Sequence, residues 1–173
     1  LLKLQKVNID IKNIIYIKGK LKIQNDGKII LGKVIINSGI NYNLIGGQEY
    51  TSFKVFKKGK LIIKDNVGIS NTSICSAEKI IIEKNVNIGG NCKIWDTDFH
   101  SINIADRLTN DVPKAAPIHI KSGVWIGGNS IILKGVTIGK NSVVATGSIV
   151  TKNIPANQLW GGVPAKYIKS LNN

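Results

Sequence analysis

The 173-residue sequence contains no methionine, only two cysteines and two histidines, and a single arginine among its 24 basic residues. Each scarcity removes a class of explanation. Two histidines cannot supply the three imidazoles of a hydratase-type zinc site, and neither CxxC nor HxxxH spacing occurs, so metal catalysis is not expected. Cys75 and Cys92 fall at positions that the repeat described below reads as inward, one large and one small, and buried thiols need no disulfide or metal role. No apolar run approaches the roughly 18 residues of a membrane helix, and the opening LLKLQKVNID lacks the apolar stretch of a signal peptide. The expectation is a soluble, cytoplasmic protein without membrane insertion. A chain that opens on Leu and lacks Met fits numbering that starts inside a reading frame or after a cloned start. No GxxxxGK[ST] phosphate loop and no GxSxG nucleophile elbow is present.

The net charge of +14 comes almost wholly from lysine, and Lys, Asn and Ile are abundant together, as an AT-rich genome would produce. The lysines are spread singly along the chain. A nucleic-acid surface needs a clustered, aromatic-interleaved basic patch, so nucleic-acid binding is not expected. A basic surface still favours an anionic ligand, such as coenzyme phosphates, a nucleotide sugar or an acidic glycan.

What the sequence does contain is a period of six. From Ile118 to Thr151, branched residues recur at Ile120, Ile126, Ile132, Ile138, Val144 and Val150. Short side chains follow each of the first five by four residues, at Val124, Ser130, Val136, Ser142 and Ser148, and Gly or Asn stands at the corners between. Neither the strand period of two nor the helix period of 3.6 gives this pattern alone. Three short strands per turn, joined by tight corners, give it: a parallel β-helix. Five anchors near the start, Ile11, Ile17, Ile23, Ile29 and Ile35, extend the architecture towards the amino terminus. The period lapses between residues 38 and 60, read as an irregular loop whose aromatics pack on a neighbouring subunit. It resumes at Ile63, Ile69 and Cys75, slips by one near Ala77, and resumes again at Ile82, Ile88 and Ile94. IIIEKNVNIGGNCKI and IHIKSGVWIGGNSII are one unit repeated 38 residues apart. Some seventeen anchors at three per turn predict about five to six coils. The β-helix is assigned to residues 1–154, with the one long interruption at 95–119, and a cap with a short helix, AKYIKSL, to 155–173.

A long loop in a repeat scaffold is usually functional. The loop WDTDFHS contains His100 with Asp96 and Asp98 beside it, and an imidazole poised near neutral pH suits a general base. His119 lies between two strand anchors, points outward, and is read as structural. With a base but no obvious nucleophile, direct transfer to an acceptor hydroxyl or amine is the chemistry that remains.

The motifs DTDFHS, VWIGGNSIILKGVTIGKNSVVATGSIVTKNIP and GGVPAK resemble those of the hexapeptide-repeat acyltransferases, in the branch of galactoside, maltose and polysaccharide O-acetyltransferases. The likeness is close over about 60–170 and only architectural before that. It implies a left-handed β-helix, acetyl-CoA as acyl donor, and a homotrimer with each active site between two subunits. His100 matches the family's catalytic base, and Asn91 the asparagine that positions acceptor or thioester. Trp125 matches the tryptophan bordering the coenzyme groove. The backbone amides of Gly128 and Thr146 match those that bond the pantetheine arm. Thr151 and Lys152 match the pair near the coenzyme phosphates, with Lys166 and Lys169 as further candidates. Asp96, Asp98 and Arg107 would face the acceptor. Hexads stand where the galactoside and maltose enzymes have a helical segment, so a different acceptor is expected. The DTDFH loop looks more like enzymes that decorate capsule, lipopolysaccharide or other surface glycans. Trp160 would stack on the coenzyme's adenine or seal the trimer. The expected function is O-acetylation of a sugar hydroxyl in polysaccharide biosynthesis. Its rivals are N-acetylation of a nucleotide-linked amino sugar, acetylation of a streptogramin-type drug, and a non-catalytic scaffold subunit. Outward threonine ladders of an ice-binding coil are absent.

Overall fold

The computed structural model describes residues 8–47, 49–109 and 113–171. Residues 110–112 of the long loop, Gln48 and the two chain ends therefore lie outside the described residues.

The first coil is β1 (Ile9–Ile11), β2 (Ile15–Gly19) and β3 (Leu21–Asn25). The second is β4 (Lys28–Leu31), β5 (Val34–Ser38) and β6 (Thr51–Val55). The third is β7 (Lys60–Ile63), β8 (Val67–Ser70) and β9 (Ser73–Ser76). The fourth is β10 (Lys79–Ile82), β11 (Asn87–Ile88) and β12 (Lys93–Trp95), followed by the loop with helix α1 (Ile104–Thr109). The fifth is β13 (Ile118–Ile120), β14 (Trp125–Ile126) and β15 (Ile131–Ile132). The sixth is β16 (Thr137–Ile138), β17 (Val143–Val144) and β18 (Ile149–Val150). A hairpin of β19 (Gln158–Gly162) and β20 (Ala165–Ser170) ends the chain. First strands of every coil stack into sheet one, second strands into sheet two and third strands into sheet three, all parallel within the coils.

The register shows why the hexads exist. Ile120, Ile138 and Ile154 continue one inward stack that begins with Ile11, Leu31, Ile63 and Ile82. Ile17, Ile36, Ile69, Ile88, Ile126 and Val144 form the second stack. Ile23, Phe53, Ile74, Ile94, Ile132 and Val150 form the third. From the second coil upward these side chains are buried, at roughly 1.5–3 kcal/mol of transfer energy each, and they make one continuous core. The small inward serines Ser130, Ser142 and Ser148 are buried beside them and satisfy corner carbonyls.

Four expectations need correction. Ile29 is buried but is not the anchor of its strand, since Leu31 continues the stack, and Ile35 is 43% exposed because Ile36 takes the inward place. Ile74 and not Cys75 holds the third stack; Cys75 is buried on the other face of β9, paired with Lys54 and Trp95. Apart from the turn that carries the 39–50 excursion, the lower turns are one to three residues longer than the eighteen of the upper ones, so a fixed step of six drifts off register there. Among the described residues of that loop the excursion is confined to 39–47, 49 and 50, because Thr51–Val55 is a strand with Phe53 in the core. The last segment is a strand and not a helix: β20 pairs antiparallel with β19, and Trp160 extends the second stack over Val144. The open edge of sheet two is what selects the strand, since β20 pairs with groups that a helix would leave unpaired.

Candidate active site

Two corners of the coil carry the candidate residues. The corner from sheet three to sheet one bears the long loop. Its stems pair antiparallel through Thr97 and Ala115, with Asp98 N–H donating to Lys114 O (3.0 Å) and Ala116 N–H to Asp96 O (2.9 Å). Asp96 is fully buried and accepts hydrogen bonds from Ser76 Oγ (3.0 Å), Ala77 N–H (2.6 Å) and Glu78 N–H (3.1 Å). This carboxylate ties the loop to the coil below and does not face an acceptor. Asp98 is ion-paired to Lys134 of the next coil at 2.6 Å. Phe99 adopts a positive φ of 65°, sets its ring edge-on to Trp95 at 5.3 Å, and turns the chain so that His100 is exposed.

Beyond His100 the loop is braced locally. Ser101 Oγ accepts from Asn103 N–H, and Asn103 caps α1 by accepting from Ala105 N–H at 2.9 Å. Arg107 reaches back from α1 to donate from Nη1 to the carbonyl of Ser101 (3.2 Å). Asp98, Arg107 and Lys134 thus hold the His100 segment between the coil and the helix. Thr151 and Lys152 lie exposed on this same corner, two coils above the start of the loop.

The corner from sheet two to sheet three bears Asn91, Gly128 and Thr146, one coil apart in turn. Asn91 Nδ2 donates to Asn129 Oδ1 (2.8 Å), and both residues take left-handed φ values of 58° and 59°. Asn91 is therefore a rung of a corner asparagine ladder. The N–H groups of Gly127, Asn129, Ala145 and Gly147 all reach carbonyls of neighbouring rungs. Among the described residues, the N–H groups of Gly128 and Thr146 reach none. Two unpaired amide donors thus stand one rung, about 4.8 Å, apart on the surface of one corner. Trp125 flanks them on the outer face of sheet two, 55% exposed. Lys166 pairs with Gly161, whose neighbour Gly162 donates to Ser148 Oγ at 3.2 Å, so this lysine stands at the top of the same corner. Lys169 pairs with Leu159 further along the hairpin. Trp160 is half-buried on the end of the stack, its Nε1–H donating to Gln158 Oε1 (2.8 Å).

Within one chain these two groups do not meet. His100, Asp98, Arg107, Thr151 and Lys152 lie at one edge of sheet three, and Asn91, Gly128, Thr146 and Lys166 at the other. Crossing the sheet from Asn129 to Leu133 takes about 13 Å at roughly 3.3 Å per residue.

The remaining reactive groups stand apart from both corners. Burial, aided by the Asp96 charge, pushes the Cys75 thiol up to about 11, and burial also raises Cys92, so neither is a nucleophile at neutral pH. His119 Nε2 sits 2.9 Å from Glu83 Oε1 on the outer face of sheet one. Among the described residues no group of His, Cys, Asp and Glu side chains is arranged to hold a metal ion. Among the described residues no helix is long and apolar enough to cross a membrane. Sequence reasoning missed Lys134, which nothing in the motif LKG marks, and the ladder role of Asn91, for which the recurring corner Asn was the available signal.

The family described as bacterial transferase hexapeptide (six repeats) matches residues 117–152, and that described as hexapeptide repeat of succinyl-transferase matches residues 79–107. A protein of Escherichia coli K12 with the provisional name lipopolysaccharide biosynthesis O-acetyl transferase WbbJ is 29% identical over 87% of this chain and 76% of its own. The hexapeptide-repeat containing acetyltransferase VCA0836 of Vibrio cholerae, solved in complex with acetyl coenzyme A, is 35% identical over 70% of this chain and 66% of its own, with a TM-score of 0.63. A second structure of VCA0836 gives 33% identity over 68% of that chain, with a TM-score of 0.61. The fold alone extends further: the N-acyltransferase AntD of Bacillus cereus superposes over 95% of this chain and 84% of its own at 23% identity, with a TM-score of 0.74. The chain spans between 30% and 54% of the length of the provisionally named staphylococcal and fission-yeast acetyltransferases that it also matches. With the three-sheet parallel coil, its corner glycines and the matched repeats in hand, the chain belongs to the hexapeptide-repeat acyltransferases, which share the left-handed β-helix.

Proposed function

We propose that the chain is an acetyl-CoA-dependent O-acetyltransferase that acetylates a sugar hydroxyl in the biosynthesis of a capsule- or lipopolysaccharide-type glycan. The observation that carries this reading is the pair of unpaired amide donors at Gly128 and Thr146. A pantetheine arm has amides of its own spaced along an extended chain, and a corner with one open N–H per rung fits it. Trp125 borders the groove, and Lys166 at the corner's top supplies positive charge for phosphates. Acetyl-CoA, when bound, supplies an activated acyl thioester. The likeness to WbbJ favours a surface-glycan acceptor, and a cytoplasmic location accords with the donor.

In the proposed homotrimer, the corner bearing Gly128 of one copy faces the corner bearing His100 of the next. The separation of the two groups across sheet three within one chain supports this, because neither edge is complete alone. Thr151 and Lys152 then reach the coenzyme phosphates from the His100 side. His100 takes the proton from the acceptor hydroxyl as its oxygen attacks the thioester carbonyl, and returns it to the departing sulfur. Asn91, through its amide, helps to orient the carbonyl. Asp98, Lys134 and Arg107 set the position of the imidazole, and no metal is required.

Release of the coenzyme thiol over a panel of sugar hydroxyl and nucleotide-linked amino-sugar acceptors tests the reading. His100→Ala is expected to lower turnover by 10²–10⁴-fold, the usual contribution of a positioned base. A variant within about threefold of wild type sinks the assignment, and a preference for amine acceptors replaces O- by N-acetylation.

A further inference from the structure

Residues 39–47 leave the coil at the same sheet two to sheet three corner, but at its lower end, and Glu49 and Tyr50 lead back into β6. With the corner of the first coil it encloses a pocket of about 480 Å³, within the ordinary range of small-ligand sites. Two aromatic rings form its sides. The Tyr42 ring lies 2.9 Å from where a Cβ on Gly19 would stand, and the Tyr50 ring 3.0 Å from the corresponding point on Gly39. Both glycines have positive φ, of 95° and 90°, and their missing Cβ lets Tyr42 Cδ2 and the Cδ1–Cε1 edge of Tyr50 come close to the backbone. The floor is rigid: buried Ser38 donates to Lys20 O (2.5 Å) and accepts from Thr51 N–H (2.7 Å), while Gly39 N–H donates to Asn71 Oδ1 (2.9 Å).

The charged side chain lining this pocket is Lys20, and Lys22 stands beside it at the Tyr50 ring. Lys20 Nζ lies 5.4 Å and Lys22 Nζ 5.1 Å from the centroid of the Tyr50 ring. Among the described residues neither ammonium has a carboxylate partner, whereas Lys12, Lys54, Lys64 and Lys134 each have one. Each ammonium sits by the Tyr50 ring without a carboxylate, and an anion bound beside that ring supplies the missing counter-charge. Flat ring faces suit the C–H face of a pyranose, and Asn41 in the lining adds a polar group for hydroxyls.

We propose that this pocket binds an anionic saccharide unit, a sugar ring bearing a carboxylate or a phosphate, with Lys20 and Lys22 holding the charge and Tyr42 and Tyr50 the ring face. It lies three to four coils below Gly128, roughly 14–19 Å away at 4.8 Å per rung. A sugar held there is not the one acetylated; it is another part of the same acceptor. That role rests on the proposed acetyl transfer, but the binding itself does not.

Calorimetric titration of the full chain with trigalacturonate, glucose 6-phosphate, maltotriose and inorganic phosphate tests the proposal. At least one of the two charged sugars is expected to bind tenfold or more tightly than maltotriose, and which of them does so separates carboxylate from phosphate recognition. Lys20→Gln/Lys22→Gln should lose at least tenfold of that affinity and most of its salt dependence, and Tyr50→Leu should weaken it with the lysines intact. Maltotriose or inorganic phosphate binding as tightly as the better of the two charged sugars, an indifferent double variant, or no saturable heat from either charged sugar would each overturn it. Acetyl-CoA titrated into the same double variant should bind as in wild type. Failure of acetyl-CoA to bind the wild-type chain would remove the transfer reading and leave the sugar pocket standing.

Discussion

Asp96 shows how a residue beside a reactive histidine in sequence can belong to the scaffold in space. Its carboxylate accepts three hydrogen bonds in a fully buried position, two of them from the backbone of the turn below. Asp96→Ala would leave those donors unsatisfied and is expected to cost about 3 kcal/mol, within the range for losing hydrogen bonds to a buried charge. Urea unfolding measures it, and a loss under about 1 kcal/mol would mean the bonds are not holding the loop. Glu83 makes a second residue-scale prediction. Burial works to raise its carboxyl, but the hydrogen bond from the His119 ring, the charge of Lys64 and the Ser122 N–H outweigh it and hold the group below its ordinary value of 4.5. A carboxyl lowered on folding stabilises the native state above the unfolded-state value and loses that contribution as pH falls through the native one. The gap in urea midpoint between wild type and Glu83→Gln should therefore be widest at neutral pH and close as pH falls below 4.5. A gap that stays constant would contradict the assignment. His100, the proposed general base, stood out in the sequence because the chain has only two histidines. That Asp96 is structural could not be read there, since its donors come from residues 76–78, brought close only by the stacking of coils.

At the scale of the element, the upper coils were legible and the lower ones drifted. Between Ile120 and Val150 every turn takes eighteen residues, so a step of six stays in register. Below, longer turns put Leu31, Ile36 and Ile74 where the step pointed to Ile29, Ile35 and Cys75. The terminal AKYIKS fits a strand or a short helix equally by pattern, and only the unpaired edge of sheet two decides between them. Trp160 belongs to this scale. It closes the second stack, so Trp160→Ala should destabilise by roughly 2–3 kcal/mol, below the 3–5 of a fully buried aromatic because it is only half covered. Thermal melts should show the loss as a lower Tm. Acetyl-CoA affinity should change little, and a large fall in affinity with an unchanged Tm would instead place the indole against the coenzyme.

For the whole molecule, the left-handed β-helix follows from the period and the family. The division of the proposed site between two edges of sheet three was not visible in the sequence. Motifs list His100, Gly128, Thr146 and Lys152 in one line, and only the coil assigns them to different corners. That assignment supports the proposed head-to-tail ring, in which the His100 edge of one copy meets the Gly128 edge of the next. The most direct measurement is subunit mixing. His100→Ala removes the base, and Thr146→Trp, at an exposed corner position, fills the groove of the open amides. Each variant alone is expected to release coenzyme thiol at no more than a hundredth of the wild-type rate. Co-refolded in equal amounts, they should regain about a quarter of it, since random assembly pairs an intact His100 edge with an intact Gly128 edge at about one interface in four. A mixture as inactive as its parts would mean that one chain supplies both halves of the site, and the account of a shared active site would be wrong.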